Sequence, residues 1–563
     1  MCGIAGIISR SEEELGGSLR TLLETMHHRG PDGAGYVIGD HLEHKGALGE
    51  LSFDGRKGRA AFGHVRLAIT GDSSALQPFR SGDGTMAALH NGEIYNYRDL
   101  WRAVADGEPP RGNDSEVLMR HLERGYQGDL FEDVQRVLPK LDGVYALAIT
   151  DQRQTVLVRD RVGVKQLYYV RSNGHVAFAS ERKPLWRLLG RDADIHRLGP
   201  GNLLKISETG AEEARFWDPA VLRQAPLFES RDEALRGYDQ SLRAALKKRL
   251  AGRDRVGIIF SGGIDSLLIA YLVREMGIPF CCYTVGCGEN SPDIEWSLRL
   301  AKQFGFPIQT CELSEADVEA LLPEVIRDIE DHSLNQVEVS VPMYAANRMA
   351  QEAGERVLLT GQGADELFGG YSWYPKVVEQ DGYGAFVERS WEDTCYLYKE
   401  CLEREDKISM AHSMELRVPY LDPVVIEAAF QVRPEWKVNA GEDVLGKRLH
   451  REYCSWIGIP DEISNRVKEA AQHGANVHDT ITALAEKRVP DGARLAAAGY
   501  DVGRSVHEKL GSSSRYGYRY GEEHLWKPSP VVQYYLDGLA AAQEILLPEA
   551  EEQLREVKGR LSC

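Results

Sequence analysis

Up to about Phe216 the apolar positions come in short runs: GIAGII, AAFGHVRLAI, MAALHN, VYALAIT, TVLVRD, LYYV, HVAFAS and NLLKI. Turn residues separate them. Short apolar runs with every second side chain on one face predict strands, and close spacing through turns predicts antiparallel pairing. Helical spacing interrupts at SLRTLLETMHH and SEVLMRHLERG. The pattern predicts stacked antiparallel sheets flanked by helices.

From about Arg231 the rhythm changes. RVGIIF precedes LLIAYLVREMG, PFCCYTVGC precedes DIEWSLRLAKQFG, and PIQTCEL precedes ADVEALLPEVIRDI. Strand–helix alternation predicts a doubly wound parallel sheet with helices on both faces. Between the halves, WDPAVLRQAPLFESRDE holds two prolines and little periodicity. The chain therefore reads as a first domain over 1–216, a linker over 217–230 and a second domain over 231–563 with a helical C-terminal extension. The end, LPEAEEQLREVKGRLSC, predicts a solvated amphipathic helix. The segment from about Pro490, including GSSSRYGYRYGEEHLWKPSPVVQYYLD, carries no interpretable motif and is expected to pack on the second domain or a sister subunit.

Composition narrows the class. Hydrophobic residues make up 43% and charged residues 27% of 563 residues, which supports more than one packed core. Asp and Glu outnumber Lys and Arg by 86 to 67, a formal charge of −19. Such a surface disfavours nucleic acid and anionic membranes as partners. No apolar run approaches the roughly 18 residues of a membrane span. The start, MCGIAGIISRSEEELGG, lacks the basic region and apolar core of a signal peptide, so the expected location is cytoplasmic. Nine scattered cysteines outline no disulfide framework and suit a reducing compartment. Cys281, Cys282 and Cys287 lack CxxC spacing and a nearby histidine, and read as buried thiols rather than zinc ligands.

Cys2 follows the initiator methionine directly. If Met1 is removed, thiol and α-amine share one residue. An amine with a reference pKa of about 8 can take the proton of a thiol near about 8.5, so no histidine is needed as base.

The ordered fragments MCGIAGI, HRGPDG, HVRLAI, HNGEIYNY, NDSE, RDRVGVKQLYY and FASERK resemble the glutaminase domain of class II, N-terminal-nucleophile amidotransferases, over roughly the first 200 residues. The resemblance implies an αββα fold with Cys2 as nucleophile. It implies that Arg66 and Asp114 hold the carboxylate and ammonium of glutamine, that Asn91 and Gly92 form an oxyanion hole, and that Glu93 sits beside them. Asn-Gly also favours a hairpin turn, so NGEIYN reads as a turn as well. His28, Arg29 and Pro31 are expected to order a loop. Lys165 and Lys183 match basic positions expected at the domain interface, and Gln166 replaces the usual proline with little functional consequence expected.

In the second half, the strand RVGIIF runs into Ser261, Gly262, Gly263, Ile264, Asp265 and Ser266 and then a helix. Glycines permit close approach of an anion, and the free N–H groups of the helix start, with two serine hydroxyls, suit phosphate oxygens. The loop lacks the lysine of a Walker motif, which argues against γ-phosphate transfer. Asp265 beside a polyphosphate calls for a shared Mg2+, and Asp365 and Glu366 offer further acids after another strand, in TGQGADELFGGY.

SGGIDS and TGQGADELFGGY, followed by DKISMAHSMELRVPYLD and NRVKEAAQHG, resemble the synthetase domain of the glutamine-hydrolysing asparagine synthetases. By that resemblance Ile259, Val285 and Gly361 surround adenine, Asp265 and Asp365 hold Mg2+, and Lys468 neutralises phosphate charge. The resemblance also implies that Gln362 and Glu366 fall at the acceptor site; Arg417 reads as a structural ion-pair residue, since buried arginine is usually paired. One departure stands out: the family usually has a glutamate where this chain has Gln362, and an amide cannot accept a proton. β-Lactam synthetases also change this position but have generally lost the terminal cysteine.

The expected reaction is therefore ATP-dependent: ammonia from glutamine attacks β-aspartyl-AMP to give asparagine, glutamate, AMP and pyrophosphate, with an internal ammonia tunnel. Two alternatives stay open, another small carboxylate as acceptor, or a non-catalytic sensor of glutamine or ATP. The resemblance also leaves a homodimer open.

Overall fold

The computed structural model describes residues 2–71, 75–105, 113–172, 174–288, 291–441, 445–466, 476–505 and 529–561. Lys468 and the GSSSRYGYRYGEEHLWKP stretch lie outside the described residues. The chain forms two compact units, residues 1–219 with 409–415, and residues 220–408 with 416–563.

The first unit is built from two antiparallel sheets. One has seven strands in the order His196–Arg197, Tyr168–Ser172, His175–Ala179, Cys2–Glu14, Lys57–Arg66, Ala34–Ile38, His41–Lys45. The other has six, in the order Gly210–Arg215, Asn202–Ser207, Thr155–Arg159, Gly143–Thr150, Ala87–Ile94, Phe79–Arg80. Alternation along the strands explains the layering. In Gly143–Thr150, Ala146 and Ala148 join Ile4, Phe62, Leu89 and Phe178 in one core. Their neighbours Tyr145, Leu147 and Ile149 pack with Val117, Leu122 and Val134 of helices Asp114–Gly125 and Leu130–Val137. In the first strand Ala5 and Ile7 face Leu19, Leu23 and Leu185 of helices Gly16–Thr25 and Arg182–Leu189. Helix, sheet, sheet and helix follow as four layers, with strands such as Ala34–Ile38 and Thr155–Arg159 buried on both sides.

The segment Ser409–Glu415 belongs to this unit although it lies late in the chain. Met410 packs on Leu67 and Ile69, and Ser413 Oγ donates to the His28 carbonyl at 2.6 Å.

The second unit holds a five-stranded sheet in the order Ile308–Leu313, Phe280–Cys287, Val256–Ile259, Val357–Leu359, Glu415–Arg417. The first four strands pair in parallel. Every residue of Phe280–Cys287 is buried, Cys281, Cys282 and Cys287 included, as a strand covered on both faces requires. From Val256–Ile259 the chain winds outward through Phe280–Cys287 to Ile308–Leu313, then returns to the other side as Val357–Leu359. With right-handed crossovers, this reversal sends helices to opposite faces and opens a crevice between Val256–Ile259 and Val357–Leu359.

In the C-terminal extension, Asp537 accepts from Tyr500 OH at 2.7 Å, Ser505 Oγ at 2.5 Å and Gln533 Nε2 at 3.0 Å, and Gln533 Nε2 also donates to the His332 carbonyl. The last helix, Pro548–Leu561, buries Ala550, Leu554 and Val557 and keeps its acids outside, as its amphipathic pattern predicts.

Candidate active sites

Cys2 opens the first strand and pairs directly with Arg66. The pairing fixes thiol and guanidinium as cross-strand neighbours. Cys2 N–H donates to Asn91 Oδ1 at 3.0 Å, and Asn91 Nδ2 is buried with no hydrogen-bond partner. Asn91 and Gly92 lie within the strand Ala87–Ile94 rather than in a turn, which corrects the hairpin reading of NGEIYN. The pairing of Gly92 with Tyr145 leaves no room for a side chain: a Cβ there would lie 2.0 Å from the Val144 carbonyl oxygen. Asp114 begins the helix Asp114–Gly125, capped by Asn113, and accepts from Ile94 N–H at 2.9 Å. Burial pushes its carboxyl up to about 6.

Cys2, Arg66, Gly92, Glu93 and Asp114 line one small cavity of about 20 Å³, together with Thr70, His90 and Ser115. A guanidinium and a carboxylate on the walls of a cavity that also holds a thiol suit a zwitterion bound beside a nucleophile. His90 also borders this cavity, a residue that periodicity does not single out. It donates or accepts at 2.7 Å with Ser115 Oγ, and burial pushes it down to about 3, so it stays neutral.

The surrounding loop is tied to the strand. Fully buried Arg29 donates Nε–H to the Cys2 carbonyl at 3.1 Å and NH1 to Glu181 at 2.8 Å. Burial opposes the charge on Glu181, but His28, Lys183 and Arg29 together hold it well below the usual carboxylate range. His28 and Arg29 thus order the loop. Pro31 forms an isolated bridge with Arg66. Lys165 is buried, its N–H held by Asp160 at 2.9 Å, and Gln166 accepts from Arg159 at 2.6 Å.

A second cavity, of about 170 Å³, lies at the crevice between Val256–Ile259 and Val357–Leu359. Ile259, Ser261, Gly262, Gly263, Asp265 and Ser266 line it from one loop, and Gly361, Gln362 and Asp365 from the other. Gly361 lets the two loops touch: a Cβ there would meet Asp265 Cβ at 2.9 Å and Ser266 N at 3.2 Å. The helix Ile264–Glu275 starts at this wall, aligning its first N–H groups with the cavity. Val285 is buried in Phe280–Cys287 and does not line the cavity, because the crevice opens on the other side of Val256–Ile259.

Lys447, which the sequence reading passed over, joins the two acids. Its Nζ lies 2.7 Å from both carboxylate oxygens of Asp265 and 2.7 Å from Asp365 Oδ1. The two carboxylates therefore converge on one cationic centre. Among the described residues no group of three or more His, Cys, Asp or Glu could hold a metal ion. Two carboxylates facing a glycine-rich loop at a helix start suit Mg2+, which is commonly held by one or two acids with phosphate oxygens and water completing its shell. Trp296 and Arg466 also border the cavity; the indole N–H donates to the Gly262 carbonyl at 3.0 Å and the guanidinium lies 4.5 Å from the ring centroid.

A family model for a glutamine amidotransferase domain matches residues 1–218, and one for asparagine synthase matches residues 237–395 and 378–539. The "Putative asparagine synthetase (glutamine-hydrolyzing) 1" of Methanocaldococcus jannaschii is 32% identical over 534 residues, covering 86% of this chain and 96% of that protein. The chain belongs to the glutamine-hydrolysing asparagine synthetase family. Asparagine synthetases (glutamine-hydrolyzing) of Asparagus officinalis and Arabidopsis thaliana are each 28% identical, covering 88% and 84% of this chain and 82% and 78% of those proteins.

Family membership gives the departure at position 362 a structural setting. Gln362 lines the cavity, and its Nε2 donates to Glu405 Oε1. Glu366 does not reach the cavity. Adjacent helical residues point about 100° apart, so Asp365 faces the crevice while Glu366 turns inward, where it is 1% exposed and accepts from Tyr371 OH at 2.5 Å. Burial pushes Glu366 up to about 8, leaving it neutral at neutral pH. Arg417 is buried and donates to the Arg249 carbonyl. No helix among the described residues is long and apolar enough to cross a membrane.

Proposed function

We propose that this chain is a glutamine-dependent asparagine synthetase, forming asparagine, glutamate, AMP and pyrophosphate from aspartate, glutamine and ATP. The observation that carries the reading is the closure of Cys2, Arg66, Gly92 and Asp114 around one cavity in a chain whose other unit presents the SGGIDS loop and two convergent acids. Arg66 takes the glutamine carboxylate and Asp114 its ammonium. With Met1 removed, the atom that now donates to Asn91 becomes the α-amine of Cys2 and receives the thiol proton. Sulfur attacks the side-chain amide carbon; Asn91 Nδ2 and Gly92 N–H receive the charge on its oxygen. Ammonia departs, and water resolves the thioester to glutamate.

At the second site the helix start and the hydroxyls of Ser261 and Ser266 bind ATP phosphates, Ile259 and Gly361 flank the nucleotide, and Lys468 adds positive charge. Asp265 and Asp365 would hold Mg2+, which when bound would neutralise charge on the pyrophosphate. The aspartate β-carboxylate attacks the α-phosphorus and pyrophosphate leaves. Ammonia then forms a C–N bond at the acyl carbon as the C–O bond to AMP breaks, its electron pair staying with the phosphate and one proton passing to solvent.

Gln362 favours a second reading, in which the adenylated acceptor is another small carboxylate. Product identification with glutamine, ATP and Mg2+ across a panel of carboxylates separates the two. Aspartate-dependent AMP and asparagine support the first; AMP formed only with another acid selects the second.

A further inference from the structure

Amide formation needs ammonia held with its lone pair toward the acyl carbon, and a neutral nucleophile is best held by acceptors that take its N–H groups. The cavity wall offers Gln362 at this point. A primary amide has one accepting and one donating end, so its usefulness depends on which way it is turned.

Glu405 decides the orientation. It stands on the helix Leu402–Ala411, is fully buried, and its Oε1 takes the Gln362 Nε2–H. Above about pH 7, where Glu405 is ionised, its carboxylate only accepts, so the amide nitrogen faces Glu405 and the amide oxygen becomes its other end. The opposite turn would set two acceptors against each other. Glu405 Oε2 is buried without a hydrogen-bond partner, so this carboxylate gives its best contact to Gln362. Arg404 approaches only at 3.5 Å through NH2, because its NH1 is engaged with Gln336 Oε1 at 2.9 Å. A carboxylate kept only for an ion pair would be fully embraced by the guanidinium. Burial pushes Glu405 up to about 7; the groups facing it are Arg404 and Cys401 from its own segment and Gln362 from the loop.

We propose that Glu405 is a positioning residue for amide formation: by capturing Gln362 Nε2–H it presents the Gln362 carbonyl oxygen to the cavity, where that oxygen accepts an N–H of ammonia and orients its attack. The role rests on the adenylation and amidation reading above. It acts after adenylation, so it separates the two half-reactions. It also explains how a chain with an amide at position 362 keeps an acceptor at the cavity wall.

The full-length enzyme, supplied with ammonia, ATP, Mg2+ and aspartate, is assayed for aspartate-dependent ATP–pyrophosphate exchange and for asparagine formation. Glu405→Gln leaves the amide free to turn either way; asparagine formation is expected to fall by about tenfold to a hundredfold while exchange changes by less than about twofold. The reversed pair, Gln362→Glu with Glu405→Gln, again puts an oxygen toward the cavity and an amide behind it. It is expected to recover asparagine formation to within about threefold of the unmodified enzyme. Equal losses of exchange and amidation in Glu405→Gln, or a reversed pair no better than that single variant, would overturn the proposal. If the unmodified enzyme shows no aspartate-dependent exchange, the acceptor assignment fails instead, and the same comparison with the carboxylate that does support exchange decides the role of Glu405.

Discussion

Cys2 N–H and Asn91 Oδ1 are 3.0 Å apart although the residues lie 89 positions apart and in different sheets. The bond occupies the accepting end of the Asn91 amide and leaves its donating end buried and without a hydrogen-bond partner. An unpaired buried donor is costly in the resting protein and useful when an oxyanion forms.

Asn91→Ala is therefore expected to lower kcat for glutamine hydrolysis by about 10²–10³-fold, with KM changing only a few-fold. Cys2→Ala should abolish glutamate release yet retain synthesis from free ammonia. Glutamate release and ammonia-dependent synthesis, measured side by side, check both; a loss of ammonia-dependent synthesis equal to that of glutaminase would refute the division of labour.

Asp114 carries a pH dependence. Its carboxyl is pushed up to about 6 by burial, so it is anionic above that pH and protonated below it. Only the anion can hold the substrate ammonium. kcat/KM for glutamine should thus fall as pH drops through about 6, approaching about tenfold per pH unit. Asp114→Asn should lower kcat/KM throughout and remove this acid limb; a limb that persists in the variant would assign it elsewhere.

Lys447 balances Asp265 and Asp365 in a site where its own side chain is 1% exposed and theirs are 10% and 17%. Lys447→Met leaves two facing carboxylates, and is expected to cost about 3–5 kcal/mol of stability. Added Mg2+ should raise the melting temperature of this variant more than that of the unmodified protein, since a bound divalent cation replaces the missing charge. Calorimetry with and without Mg2+ tests this, and equal Mg2+ effects on both proteins would argue against a metal at these acids.

Gly92→Ala places a methyl group against the backbone of the neighbouring strand, 2.0 Å from the Val144 carbonyl oxygen and 2.7 Å from Tyr145 Cα. Backbone cannot rotate away as a side-chain tip can, so the strands must part. A loss of at least about 1–3 kcal/mol in the unfolding free energy is expected, with glutaminase activity falling as the oxyanion donors shift. Denaturant unfolding with a midpoint equal to the unmodified protein would show that the sheet gives way easily.

The Glu181 cluster predicts an acid sensitivity. His28, Lys183 and Arg29 hold its carboxyl well below the usual carboxylate range against the cost of burial. A depressed folded value means that the stabilisation is fully present above about pH 4.5 and is lost as pH falls through the folded value. Glu181→Gln should be less stable than the unmodified protein at neutral pH and lose less on acidification. Parallel acid-unfolding curves would contradict this.

Much of the fold was written in local pattern. Alternation along GIAGII and VYALAIT, and strand–helix succession from RVGIIF onward, follow from side-chain directions repeating every two or 3.6 residues, which no distant residue is needed to set. The SGGIDS loop and the terminal cysteine were legible for a similar reason: their chemistry is carried by neighbouring residues. What only the tertiary structure decided depends on pairings across the chain. Lys447 stands 182 residues from Asp265, and Glu405 stands 43 from Gln362. Asn91 and Gly92 favour a turn locally, yet pairing with Gly143–Thr150 draws them into a strand. Ser409–Glu415 joined the first unit through the burial of Met410 beside Leu67, and Glu366 turned inward to meet Tyr371 OH while Asp365 faced the crevice. Such outcomes are settled by which surfaces are buried together when the whole chain packs, a quantity that no local stretch of residues contains.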